Sequence, residues 1–312
     1  MKFNKSIETI KKISNNLSTW GLILIFCLLF LFLVVLFKSS KKRENFETTK
    51  HFLHKTGNDI YDDFYVDIYD DLVYNDLKDN YEIQEIINKT TPTQSSTILD
   101  IGSGTGHHSG KLSEQGYNVL GIDKSQAMVK KAKTNYPNTN FIQGDVLHAN
   151  PKLENEKFTH VLCLYFTIYY IENKEMFFEN CIKLLKPGGF LILHVVDRDK
   201  FDPIIPASQG FLIFSPQKYS KERINTSKVV FNNFIYSSKF NLTPSENIGS
   251  FDEKIEFKNN NSVRKHKHVM YMEDAPELLA TAQNCGFIIN DKIDLLNCGY
   301  DNQYLYILLK PS

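Results

Sequence analysis

The chain has 312 residues, with 36 Lys+Arg against 36 Asp+Glu, so its formal net charge is zero. That length holds one large domain with appendages, and the lack of a basic excess leaves no electrostatic case for the whole chain grasping nucleic acid. An aromatic content of 13% excludes a disordered chain. The five cysteines, Cys27, Cys163, Cys181, Cys285 and Cys298, contain no CxxC pair. They read as small buried hydrophobes in a reducing compartment, with neither a disulfide framework nor a metal site expected.

After an N-terminal segment, residues 1–19, the first element is the uncharged run Trp20 to Phe37, WGLILIFCLLFLFLVVLF. At about 18 residues it just reaches the length that spans a hydrocarbon core. Trp20 suits one interface, and Lys38, Lys41, Lys42 and Arg43 mark the other. A cleavable signal peptide is the rival reading, but Lys38-Ser39-Ser40-Lys41 makes a poor cleavage site. The expectation is a single-pass anchor at 20–37, its C-terminal side facing the cytosol, followed by a polar linker over 38–57.

Tyr61, Tyr65, Ile68, Tyr69 and Leu72 recur at three- and four-residue steps, which predicts an amphipathic helix over Asp59 to Tyr74. A second short helix is expected over Tyr81 to Ile87. Thr97-Ile98-Leu99-Asp100-Ile101 then reads as a buried strand running into glycines. Beyond it the chain alternates: helix 107–115, strand 117–122, helix 125–135, strands 139–142 and 158–164, helix 173–185, strand 189–196. Short apolar strands alternating with helices predict a parallel sheet of βαβ units. After Asp197, segments 228–240, 252–258 and 263–272 read as strands of an antiparallel insertion over the carboxyl edge of that sheet. A helix near 275–285 and strands 287–295 and 303–309 close the chain.

Five motifs carry chemistry. Asp100-Ile101-Gly102-Ser103-Gly104-Thr105-Gly106 lies between a strand and a helix, where glycines let a ligand approach the backbone. A dinucleotide fingerprint would need glycine at His107, and no phosphate-binding Lys-Ser/Thr follows. Gly121-Ile122-Asp123 ends the second strand with a carboxylate placed for ribose hydroxyls. Lys124 follows it, Ser125 caps the next helix, and Met128 sits one turn in, where a thioether packs on a flat ring. Gln143-Gly144-Asp145-Val146 places an acceptor for an exocyclic amine. Leu164-Tyr165-Phe166-Thr167-Ile168-Tyr169-Tyr170 ends the next strand, and Leu184-Leu185-Lys186-Pro187-Gly188-Gly189 is a helix stop and turn.

The combination ILDIGSGTG, GIDKSQAM, QGDV and LLKPGGFLIL, in this order, resembles the class I S-adenosylmethionine-dependent methyltransferases over roughly residues 59–197. The resemblance implies a doubly wound, Rossmann-like α/β fold with a seven-stranded, mostly parallel sheet whose last strand, here Gln303 to Leu309, is reversed. The domain is read over 58–312, with the antiparallel insertion 198–273 as a lid. S-adenosylmethionine is then the cofactor, with Asp100, Gly102, Ser103, Gly104 and Gly106 at its methionine part and Asp123 at its ribose. Asp145 and Val146 fall at its adenine, and Lys124, Met128 and Leu164 border it. The place where relatives that methylate amide or base nitrogens carry Asn/Asp-Pro-Pro-Tyr/Phe reads Leu164-Tyr165-Phe166-Thr167 here, which points away from those substrates and toward small molecules.

Methyl transfer needs alignment and water exclusion, and aromatic faces suit a sulfonium cation. Tyr65, Tyr69, Tyr165, Tyr169 and Tyr170 are the candidates for that wall. Tyr169 and His194 are the candidates for proton transfer, with a satisfied core histidine the favoured reading of His194. His107 and His108 open a helix rather than bind metal. Arg264-Lys265-His266-Lys267-His268 reads as a solvated edge strand, or as a surface for an anionic substrate or lipid headgroups. The leading expectation is a membrane-anchored methyltransferase of a small or lipid-soluble acceptor. A protein acceptor, an inactive binding module and a dinucleotide oxidoreductase are the alternatives.

Overall fold

The computed structural model describes residues 18–39, 51–209, 216–260 and 262–312. The chain divides into two compact units, Met1–Lys50 and His51–Ser312. In the first, Thr19–Ser39 forms helix α1 over 21 residues. Among the described residues no helix is long and apolar enough to cross a membrane; the side chains of α1 are described only in part. The basic residues expected to flank it, Lys2 to Lys12 and Lys41 to Arg43, lie outside the described residues.

The second unit opens with strand β1 (Phe52–Thr56), a 3-10 turn at Gly57–Ile60, and helices α2 (Asp63–Val73) and α3 (Asp76–Thr90). Asp62 and Asn75 cap these helices by accepting from the backbone N–H of Tyr65 and Lys78. Helix α3 is a full turn longer at its start than its apolar pattern predicts. Its Lys78, Asp79 and Glu82 are buried and satisfy one another and His108, so polar residues there face inward. The alternation then follows: β2 (Thr97–Ile101), α4 (His107–Glu114), β3 (Asn118–Asp123), α5 (Gln126–Asn135), β4 (Asn140–Gln143), β5 (Phe158–Cys163), α6 (Lys174–Leu184) and β6 (Leu185–Val196).

Next comes a run of strands, β7 (Thr226–Val230), β8 (Phe234–Thr243), β9 (Ile248–Phe257) and β10 (Val263–Tyr271). Helix α7 (Ala275–Asn284), β11 (Ile288–Asp294) and β12 (Gln303–Leu309) complete the unit. The main sheet has seven strands in the order β11-β12-β6-β5-β2-β3-β4. Strand β12 runs antiparallel to both its neighbours, and the other pairs are parallel, so the last strand is the reversed one. The order reverses between β2 and β5, which puts a crevice at their carboxyl ends. Leu99, Ile122, Val161, Leu191 and Leu193 form the core beneath it.

A second sheet, β1-β10-β9-β8-β7, makes the insertion. Two expectations change here. The linker ends before Phe52, because β1 pairs in parallel with β10. The single strand read over 228–240 is a hairpin that turns at Phe231–Asn233, with Phe231 N–H donating to the Phe234 carbonyl. The first is a nonlocal pairing that no local pattern announces; the second is a local hairpin, for which Asn232-Asn233 was the available turn signal. Helix α2 packs on this sheet: Tyr65 and Leu72 share a core with Phe234, Tyr236 and Ile255. The aromatic helix and the insertion therefore share one core and form one wall.

Candidate active site

The glycine loop between β2 and α4 is shaped by backbone it cannot make with other residues. Gly102 has φ +70°, and a Cβ on it would lie 2.5 Å from Thr167 Cγ2; Gly104 has φ +53° with open space where a Cβ would stand. The amides of Gly102 and Ser103 donate to the Ile122 carbonyl at 2.8 and 3.1 Å, hanging the loop from β3. Asp123 clamps it from the same strand end. Its Oδ2 accepts from Gly104 N–H at 3.0 Å and its Oδ1 from Ser125 N–H at 2.8 Å. Burial pushes the Asp123 carboxyl up, against these amides. Ser125 caps α5 through Met128 N–H and donates its hydroxyl to the Tyr61 carbonyl at 2.7 Å, while Thr105 Oγ1 donates to Asp70 of α2 at 2.6 Å. The aromatic segment is thus hooked onto both loops.

These elements enclose one cavity of about 390 Å³, within the range of small-molecule sites. Of the expected cofactor residues, Gly102, Gly104, Asp123, Lys124, Met128, Asp145 and Val146 line it. Asp145 Oδ1 accepts from Leu147 N–H at 2.9 Å, and its Oδ2 lies 3.0 Å from Lys124 Nζ. Tyr65, Tyr69, Tyr165 and Tyr170 line it as well.

The remaining expected residues lie outside the lining. Asp100 is buried below the loop and accepts from Ser109 Oγ at 2.6 Å, bracing the start of α4. Gly106 serves packing, since a Cβ there would lie 2.7 Å from Phe141 Cζ. Among the described residues Ser103 Oγ has no hydrogen-bond partner. Leu164 packs in the core on the far face of the sheet with Leu162 and Ile192. Tyr169 is buried, its hydroxyl accepting from Val196 N–H at 2.9 Å. His194 is fully buried, its Nδ1 donating to the Tyr165 carbonyl and its Nε2 lying 3.1 Å from the side-chain amide of Gln303, which, turned over, donates to that nitrogen. Burial pushes its imidazole down to about 4. Both proton-transfer candidates are therefore satisfied core groups.

The cavity also has a polar end that the motifs did not mark. Glu253 and His268 line it with Tyr61 and Phe251. The stretch Arg264 to His268 is not a solvated edge strand: β10 is paired on both sides, by β1 and β9, and Arg264, His266 and His268 are buried. Period-two alternation was the available signal. It turns Arg264, His266 and His268 to one face, and only the pairing of His266 opposite Glu253 decides that this face looks inward.

Residues 98–189 match the family described as "Methyltransferase domain". This stretch is a class I S-adenosylmethionine-dependent methyltransferase domain. Over 128 residues the chain is 34% identical to the ubiquinone biosynthesis O-methyltransferase of Rickettsia bellii strain OSU 85-389, covering 40% of this chain and 52% of that protein. The Rickettsia felis protein of the same name is 29% identical over 127 residues, at the same coverage. The match thus spans about half the length of these relatives.

Solved structures extend the fold likeness beyond the methyltransferase domain. An S-adenosylmethionine-dependent methyltransferase from Clostridium acetobutylicum ATCC 824 superposes with TM-score 0.60 at 16% identity, over 80% of this chain and 98% of that one. The CcbJ methyltransferase of Streptomyces caelestis does so with TM-score 0.60 at 15% identity, over 81% and 98%. At these identities the likeness is one of fold. In the methyltransferase domain of this chain, the cavity opens at the strand ends where the sheet order reverses, with the insertion and α2 as its outer wall.

Proposed function

We propose that the chain transfers a methyl group from S-adenosylmethionine to a small-molecule or membrane-associated acceptor. The observation that carries this reading is the shared cavity. Gly102, Gly104, Asp123, Gly144, Asp145 and Val146, from three successive strand ends, meet there with six tyrosines. The residues fit the cofactor. The left-handed glycines leave the loop without side chains where a methionine tail needs room. Each Asp123 oxygen is held by one amide and keeps a lone pair for a ribose hydroxyl. Val146 and Met128 offer apolar surface for a ring, beside the Asp145 acceptor.

The cofactor supplies an electrophilic methyl on a sulfonium. The protein's part is to orient the acceptor and keep water out. Tyr61, Tyr65 and Tyr69 pack edge to face at centroid distances of 5.8 to 6.4 Å and make an apolar wall attractive to a cation. A cavity roofed by a sheet admits a compact acceptor more readily than a protein segment, which favours the small-molecule reading. The Rickettsia relatives are named for an O-methyl transfer in ubiquinone biosynthesis, which is compatible with a lipid-soluble acceptor.

For the N-terminal unit we take the membrane reading. The uncharged run Trp20 to Phe37 falls within the 21 residues of α1, and Trp20, Phe26, Phe30 and Phe32 are exposed on it. Apolar side chains all round a helix suit lipid rather than water. The enzyme is then a single-pass membrane protein with its active site in the cytosol, where the cofactor is available.

The test is calorimetric titration of the full chain, in detergent, with S-adenosylmethionine and with NAD. Micromolar binding of S-adenosylmethionine alone is expected. Binding of NAD instead, or of neither by a folded protein, refutes the reading.

A further inference from the structure

At the polar end of the cavity, Glu253 of β9 accepts four hydrogen bonds. Tyr65 and Tyr236 hydroxyls donate to Oε1 at 2.7 and 2.6 Å. His266 Nδ1 and His268 Nε2 meet Oε2 at 2.8 and 3.0 Å. The carboxyl is 4% exposed. Burial pushes it up, but the hydrogen bonds from His266 and His268 outweigh burial and hold it below the usual carboxylate range. It is therefore an ionised, fully engaged acceptor at neutral pH.

The neighbours fix the tautomers. Arg264 Nε donates to His266 Nε2 at 2.5 Å. Arginine has only donors, so Nε2 is the lone-pair nitrogen and the His266 proton sits on Nδ1, toward Glu253. His268 presents Nε2 to the same carboxylate oxygen, so its proton sits there too. Its Nδ1 then carries a lone pair, and it accepts from the Tyr170 hydroxyl at 3.0 Å. Glu253, His266 and His268 bring their ligand atoms within 4.8 Å of one another, close enough to hold a metal ion. A cation at His266 Nδ1 would drive that proton to Nε2, against Arg264, which Asp62 holds at 2.7 Å. The arrangement suits a proton rather than a metal.

One basic nitrogen thus stands behind one hydroxyl. Tyr170 is 38% exposed and lines the cavity, whereas His268 is only 3% exposed. Tyr61, Tyr65 and Phe251 pack around the His268 ring at centroid distances of 6.0, 6.3 and 6.0 Å. The titratable groups facing His268 are Glu253 from β9, His266 from β10, Tyr65 from α2, and Tyr61 and Tyr170 from the flanking turns.

We infer that Tyr170, His268 and Glu253 form a proton relay that deprotonates an acceptor hydroxyl, so the acceptor is a phenol or alcohol rather than an amine. This rests on the methyl-transfer reading above. A neutral amine offers its lone pair without a base, but a hydroxyl oxygen is a poor nucleophile until its proton leaves. As the acceptor oxygen bonds to the methyl carbon, the carbon–sulfur bond breaks and its electron pair stays on sulfur. The acceptor proton passes to Tyr170 Oη, and the Tyr170 proton passes to His268 Nδ1. The positive charge lost from the sulfonium reappears on the imidazolium, paired with Glu253 in a poorly solvated site. Tyr170 is the catalytic residue that touches the acceptor. His268 receives the proton through it, and Glu253 is the positioning residue that orients and charges the pair.

The experiment uses the full chain in detergent and the variants Tyr170→Phe, His268→Gln and Glu253→Gln. Catechol and benzylamine serve as acceptors across pH, with S-adenosylmethionine affinity measured alongside. Para-nitrophenol, added without cofactor, reports ionisation by its absorbance. The expected results are methylation of catechol in preference to benzylamine, and a loss of about a hundredfold or more in Tyr170→Phe and His268→Gln. Cofactor affinity should stay within about threefold in these variants. In Glu253→Gln the imidazole loses its counter-charge, so the acid limb of the pH profile moves to lower pH, which a merely structural role would not produce. Bound para-nitrophenol should ionise in the wild type and remain neutral in His268→Gln. Equal catechol methylation in the variants, preference for benzylamine, or an unchanged nitrophenol spectrum overturns the relay. If His268→Gln misfolds, Tyr170→Phe at the partly exposed wall decides. Loss of cofactor binding in the wild type sinks the methyltransferase reading, and the nitrophenol spectrum then still reports on the relay alone.

Discussion

Removing the Asp123 carboxylate separates cofactor recognition from loop stability. Its two oxygens hold Gly104 N–H and Ser125 N–H at 3.0 and 2.8 Å, and each retains one lone pair toward the cavity. If those lone pairs meet two ribose hydroxyls, Asp123→Ala costs two charge-assisted hydrogen bonds of about 1.5 kcal/mol each. The sum, about 3 kcal/mol, is about a 150-fold weaker dissociation constant. Asp123→Asn keeps one acceptor oxygen and should lose only about tenfold. Burial raises this carboxyl, so wild-type affinity should begin to fall at a higher pH than for an ordinary aspartate as the solution is acidified. The assay is calorimetric titration with S-adenosylmethionine, with a thermal melt of each variant to verify folding. A change of less than about threefold in a folded Asp123→Ala protein would show that this carboxylate does not bind the cofactor.

Three further outcomes follow from the same geometry. Gly102→Ala forces a methyl against Thr167 in a left-handed backbone, whereas Gly104→Ala meets open space; the first should melt lower, by about 1–2 kcal/mol beyond the backbone strain common to both, and equal melting temperatures would contradict the packing. His160 and His194 are buried and pushed down to about 4 by desolvation. The unfolded chain therefore binds more protons between about pH 6.5 and 4, and stability should fall as pH drops through that window by about 1.4 kcal/mol per unit for each imidazole. Urea titrations at pH 7 and 5 check this, and a His160→Asn protein with an undiminished pH slope would refute the assignment. Alkaline carbonate should leave the full chain in the membrane pellet, and replacing Leu28 and Leu31 with arginine should release it, because a mid-span arginine costs about 2.5–3.5 kcal/mol; release of the wild type would remove the anchor from the proposal.

Local sequence reaches the fold wherever a segment's pattern and its partner are the same kind of thing. Thr97–Ile101 and Asn118–Asp123 are apolar runs bounded by turn residues, and alternation of such runs with helices is enough for a parallel sheet to be recognised. The glycine loop was legible because left-handed backbone demands glycine at Gly102 and Gly104. Asp123 and Asp145 followed because strand ends in such a sheet face one crevice. Direction along that crevice was less legible. Asp100, Ser103, Gly106 and Leu164 belong to the same motifs, yet they point into the core or the loop's own support.

What only the tertiary structure decided lies in the insertion. The charge-rich alternation from Arg264 to His268 is equally good as a wet edge or as a buried face, because a strand's two faces are related by a shift of one residue. The parallel addition of β1 on one side and the placement of Glu253 opposite His266 on the other settle the face. The tautomer of His266 then depends on Arg264, two residues back on the same strand, and that of His268 on Glu253 and on Tyr170, 98 residues away in the chain. Hydrophobic periodicity specifies which residues are buried, but the partner of a buried polar group is a matter of three-dimensional pairing, and no single strand carries that information.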